Sequence, residues 1–254
     1  MYCLLRQLGL SCLLWGVLAP AAAQLTESPH PAASGRWLLE ADVLARQFDR
    51  AGGDRFAGWT VGSLLFSTGV GENWDVQLGM DLFVATRVET GGVVERNRGL
   101  GDVWLRTKWR VHHDEGSGFA VALLPYLKLP TNTGGVGNGS VEGGIAVPVT
   151  VPTGPGWEAM LMLGFDGLRN AADDGHEAHW YATAAMAREL GRRWGAYVEL
   201  ALVRAPGGNP AEAWAGLGLS WALSENRSWD FAAYRGLSRG ALDWTHVLRF
   251  TLEF

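Results

Sequence analysis

The chain is short of cysteine, of basic charge and of long apolar runs, and each shortage removes a class of protein. Its only cysteines, Cys3 and Cys12, lie at the extreme amino end. The rest of the chain has no disulfides or thiolate metal sites, so backbone hydrogen bonds and packing must hold it together. Lysine and arginine total 21 against 26 acidic residues, a formal net charge of −5. No basic stripe is present, which argues against a nucleic-acid partner. Beyond Gln24 no apolar run reaches the roughly eighteen residues of a transmembrane helix. Nucleotide loops and zinc motifs are missing as well, and no cofactor or metal is expected. What the chain does have is 48% hydrophobic residues, 35 glycines and 13 tryptophans. Barrel strands reconcile such a composition with the missing helices, because alternate residues can face lipid while their neighbours face inward.

The first 23 residues read as an export signal. Arg6 supplies the positive start, Leu8 to Leu18 the apolar stretch, and Ala21-Ala22-Ala23 the small-residue cleavage site, with the mature chain starting at Gln24. Both cysteines leave with the signal. Residues 24–35, which contain prolines, are expected as a short periplasmic lead, and residues 36–254 as one barrel domain.

Period-two alternation dominates that domain. Trp74, Val76, Leu78, Met80, Leu82 and Val84 fall on one face, and Asp75, Gln77, Gly79, Asp81 and Phe83 on the other. Val103, Leu105, Trp109 and Val111 oppose Asp102, Arg106, Lys108 and Arg110. Glycine, proline and Asx clusters punctuate about twelve such segments, an even number as single-chain bacterial barrels require. This predicts an all-β, transmembrane, antiparallel up-and-down barrel. Links at 89–98 and 131–139 are expected as outer loops, the second mobile because it is rich in glycine and asparagine. Tryptophans 37, 59, 74, 109, 157, 180, 194, 221, 229 and 244 gather at strand ends with outward parity. That is the pattern of aromatic girdles at two membrane interfaces, and a soluble sandwich would give no reason for it.

Inward parity collects Glu40, Asp42, Arg46, Asp75, Asp81, Asp102, Arg106, Lys108, Arg110, Lys128, Glu142, Glu158, Asp166, Glu199, Asp230, Asp243 and Arg249, joined by Trp104, Tyr126, Trp214 and Tyr234. Charges belong inside because a lipid-facing Arg or Lys near the midplane costs about 2–4 kcal/mol. They line either a polar conduit or a salt-bridged plug, and composition does not choose between the two. No catalytic residues are expected. His112 and His113 beside Asp114 read as a solvated turn, and His246 lacks a serine beside it. The closing run Phe250, Leu252 and Phe254 matches the carboxy-terminal signal recognised by the outer-membrane barrel assembly machinery.

Gly99-Leu100-Gly101-Asp102 followed by Lys108-Trp109-Arg110-Val111 resembles outer-membrane proteins of the MetA-pathway phenol-degradation type. Leu127-Lys128-Leu129-Pro130-Thr131, Val151-Pro152-Thr153-Gly154 and the final Phe254 fit that pattern, although Asn132 stands where a glycine is usual. The resemblance covers most of residues 36–254. It implies a barrel of about twelve strands in the outer membrane of a Gram-negative bacterium. It also implies passive passage of small, aromatic or apolar solutes with outer-membrane lipid around the wall. The alternative is a non-conducting structural or surface-interaction barrel.

Overall fold

A computed structural model describes residues 24–170, 172–204 and 211–254. The expected export signal at 1–23 and the link at 206–210 lie outside them. Among the described residues no helix is long and apolar enough to cross a membrane, which says nothing of strands. The strands run β1 Trp37–Ala51, β2 Asp54–Gly71, β3 Trp74–Thr90, β4 Val93–Gly99 and β5 Val103–His113. They continue as β6 Ala120–Leu129, β7 Glu142–Gly154, β8 Trp157–Arg169, β9 His176–Glu189 and β10 Trp194–Arg204. Last come β11 Glu212–Ser224, β12 Arg227–Gly236 and β13 Trp244–Glu253. Every neighbouring pair is antiparallel, β1 pairs with β13, and β2 with β3, so twelve strands close on themselves with β4 as an addition. The expected all-β barrel is borne out.

β4 corrects the loop expected at 89–98. β3 runs on to Thr90, turns through Gly91-Gly92, and comes back paired from Val84↔Gly99 to Thr90↔Val93. Gly91 and Gly92 both have positive φ, 55° and 84°, as do Gly52 and Gly53 at the β1–β2 turn. Two successive positive φ values make a type I′ turn, whose twist suits a hairpin and which glycine adopts without strain. A membrane crossing takes only about 9–11 tilted residues. With 18 residues in β2 and 17 in β3, this side of the barrel rises well above the rest.

Strict alternation also fails at one level of β1, β2 and β3. Val43 and Leu44 are both exposed, as are Leu82 and Phe83, and Gly62 lies there at φ 68°. Pairing resumes with the inward and outward positions exchanged. Val84, expected to face lipid, is therefore buried, and Phe83, expected inside, is exposed. Arg46 is likewise an outward residue, with its guanidinium 4.8 Å from the Trp59 ring centroid. The register shifts once here, at a bulge of β1 against β13 between Asp42 and Leu44, while β1, β2 and β3 keep their mutual register and exchange faces together.

The tryptophan girdles are present. Trp74 stacks on Trp109 at 5.8 Å and Trp194 on Trp221 at 5.7 Å, all four on the outer face at the end where β1 begins and β13 finishes. The barrel closes at that same end. Trp37 N–H donates to the Phe254 carbonyl at 2.8 Å, and Phe254 N–H to the Trp37 carbonyl at 2.9 Å.

Candidate functional site: the barrel interior

Alternation turns one row of each strand inward, and the inward rows build two unlike walls. One wall, on β13, β1, β3, β5 and the end of β6, is charged. Arg249 donates to Asp42 at 2.7 Å and to Glu40 at 3.0 Å, which ties the last strand to the first. Asp81 accepts a short bond from the Ser63 hydroxyl. Lys128 reaches Asp102 at 3.2 Å and Glu142 at 2.9 Å. The opposite wall, on β6 to β11, is apolar and includes Leu124, Met162, Tyr181, Ala201 and Trp214 as one buried cluster. Among the acidic groups buried on these strands, Asp166 and Glu199 are each met by a tyrosine hydroxyl. Tyr126 donates to Asp166 at 2.7 Å, and Tyr234 to Glu199 at 2.7 Å.

The lead at 24–35 does not trail away from the barrel. From β1 it turns back into the interior and spans both walls. Its path passes Gly69, where Gly35 N–H donates to the Gly69 carbonyl at 3.0 Å. A Cβ on Gly69 would fall 2.4 Å from the Ala32 and Ala33 carbonyl oxygens, so only glycine admits the segment there. Ala32 N–H donates to Asp75 at 2.8 Å. Glu27 meets Arg106 at 2.6 Å and Lys108 at 3.4 Å on the charged wall. Thr26 and Leu25 then reach across to Glu199, which accepts both of their N–H groups and the Thr26 hydroxyl. Leu25 packs against the apolar cluster.

At the other end the 131–139 link, expected to be mobile, is tied into the mouth. Asn132 donates to Asp102 from its N–H at 2.9 Å and from Nδ2 at 2.8 Å. Asn138 accepts from Lys128 at 2.6 Å and donates to Glu142. Gly99 and Gly134 let the loop pass within a Cβ's radius of the neighbouring backbone. Paired charges thus hold a chain segment across each half of the interior.

The residues singled out in the sequence are distributed as follows. Asp75, Asp81, Asp102, Trp104, Arg106, Lys108, Tyr126, Lys128, Glu199, Trp214, Tyr234 and Arg249 are all buried at inward positions. Arg110 instead sits at the rim, bonded to Asn73 and to the Glu72 carbonyl. Phe250 packs on Trp229 on the outer face, and the Phe254 ring is exposed there. Leu252 is half-buried opposite Leu39. The Asp114 turn binds itself. Its carboxylate accepts from Ser117 Oγ at 2.6 Å and Gly116 N–H at 3.0 Å, which holds its pKa below the usual value. Among the described residues no cluster of three or more metal-ligating side chains occurs.

Leu25, Thr26, Glu27 and Gly69 escaped the sequence reading. Nothing in a short polar lead marks it as the partner of a lumen, and Gly69 looks like any strand-end glycine.

With this geometry in hand, comparison with known proteins is decisive for the family. Residues 39–254 match the family model described as "Putative MetA-pathway of phenol degradation". The chain belongs to this family. No curated protein matches the sequence. Among solved structures, the COG4313 outer membrane channel from Pseudomonas putida F1 superposes with a TM-score of 0.70 at 10% identity. That match covers 93% of this chain and 100% of the channel. The NanC porin gives 0.55 at 8% identity over 84% and 98% of the two chains. The KdgM porin gives 0.55 at 7% over 85% and 99%. At such identities these likenesses establish the fold, which is that of outer-membrane barrels.

Proposed function

We propose that the chain is exported to the outer membrane and there passes small, apolar or aromatic molecules passively through its barrel. The observation that carries this reading is the division of the interior. An apolar wall of Leu124, Met162, Tyr181, Ala201 and Trp214 gives such a solute a surface to follow. Family membership and the fold shared with the COG4313 channel agree with it. No catalytic step is part of this reading, and solutes, lipid and the assembly machinery are the partners.

A second reading has an observation of its own. Residues 24–35 and the 131–139 link are bonded across the interior by Glu27, Asp75, Glu199 and Asp102. A barrel permanently closed in that way would be a structural or surface-binding one. Liposomes carrying the purified protein should take up small neutral aromatics faster than empty vesicles, and planar bilayers should show discrete conductance. Neither flux nor conductance above background in the wild type or in a variant lacking residues 25–33 would establish the second reading instead.

A further inference from the structure

We propose that the apolar wall is a binding site for a small neutral solute with an apolar body and one hydrogen-bond acceptor. Leu25 is its resident occupant, and the solute must displace it. The inference deepens the channel reading above and rests on it for the solute's route, but not for the site itself.

Leu25 is held differently from its neighbours. Glu27, Ala32 and Thr26 are fixed by ion pairs and hydrogen bonds to particular partners. The Leu25 backbone is held too, its N–H donating to Glu199 at 2.9 Å. Its side chain, however, is fixed only by packing, against the cluster that contains Met162, Tyr181 and Trp214 and the second one that contains Tyr197 and Tyr234. Packing of this kind is non-directional, so an aromatic ring of similar cross-section can replace it. Among the described residues the Gln24 side chain adds one polar bond, a weak one to Met160 Sδ at 3.5 Å.

Trp214 supplies the polar half of the site. It is among the most deeply buried side chains, and its Nε1–H has no partner among the described residues. A buried donor of this kind normally finds an acceptor. Leu25 has none to give from its side chain, whereas a nitro, carbonyl or ether oxygen on a solute does. Trp214 lies opposite Ala201 in the β10–β11 ladder, and Glu199 is two residues away along β10 on the same face. Glu199 already accepts from Leu25 N–H, Thr26 and Tyr234. A cationic solute would find the Glu199 carboxylate already occupied, and a neutral one needs no counter-charge.

Leucine methyl NMR on the full-length barrel in nanodiscs tests this directly. The Leu25 resonance is assigned by its loss in Leu25→Ala and should be displaced by the ring currents of the surrounding aromatics. Titration with nitrobenzene should move it, saturably, to the position of a solvent-exposed leucine. Toluene, which lacks the acceptor, should need about tenfold more for the same shift, the worth of one hydrogen bond. Trp214→Phe should erase that difference while leaving the shift itself, and Leu25→Ala should bind nitrobenzene more tightly than wild type. A Leu25 resonance unmoved at saturating nitrobenzene would overturn the proposal. So would equal requirements for the two probes, or weaker binding by Leu25→Ala, which would make Leu25 part of the site rather than its occupant. Solute flux with a silent Leu25 defeats this inference and spares the channel. A responsive Leu25 without flux does the reverse.

Discussion

Glu27 is the residue on which closure of the interior turns. It is the counter-charge of both Arg106 and Lys108, whose side chains are 2% and 8% exposed. Removing one partner of a buried pair strands the other, at a cost of about 3–5 kcal/mol. Glu27→Gln should therefore loosen the segment at 24–35 and leave two cations facing the interior. In planar bilayers it should raise conductance and favour anions. Gly69→Val should do the same by a different force, because its side chain would collide with the Ala32 and Ala33 carbonyls and expel the segment. Unchanged conductance in both variants, with the barrel still folded, would show that the segment does not obstruct the interior. Leu25, only partly buried against the apolar wall, would then be an anchor of no consequence for passage.

The element that decides assembly is the seam between β1 and β13. Backbone bonds between Trp37 and Phe254 start it, and Arg249 with Asp42 and Glu40 ties it further along. Phe254 presents its ring outward at the interface, whereas Glu253 makes an exposed pair with Arg36 at 2.8 Å. Exposed pairs contribute about 0–1 kcal/mol. Phe254→Asp should reduce the yield of folded barrel severalfold, and Glu253→Gln should leave it near wild type. Heat-shift electrophoresis of membrane fractions reads both, and equal yields would sink the idea. At this scale the sequence was legible almost throughout. The alternation from Trp74 to Asp81 and from Asp102 to Lys108 places side chains on the faces where they lie. It misplaced Arg46, Phe83 and Val84, because a bulge is decided by how neighbouring strands pair and leaves no mark in the alternation of one strand.

For the whole molecule, closure is the governing property. A barrel without a free edge has no strand from which to unravel. Unheated samples should migrate faster on gels than boiled ones, and detergent spectra should be β-rich. The chain should sediment with the outer membrane, and amino-terminal sequencing should begin at Gln24. Recovery of soluble periplasmic chain in native cells would overturn the membrane assignment.

By itself the sequence determined the fold class, the strand count of the barrel, the girdles and the sign of the faces wherever alternation is unbroken. These follow from local rules, since period two, turn glycines and interfacial tryptophans each act within a dozen residues of the chain. Only the tertiary structure decided what fills the interior. Glu27 meets Arg106, and Thr26 meets Glu199 on the far wall, across sequence separations of 79 and 173 residues. No periodicity encodes such a meeting. Closing the barrel sets the two walls face to face, and only then do a short lead, an unpaired tryptophan donor and a patch of apolar side chains become one site.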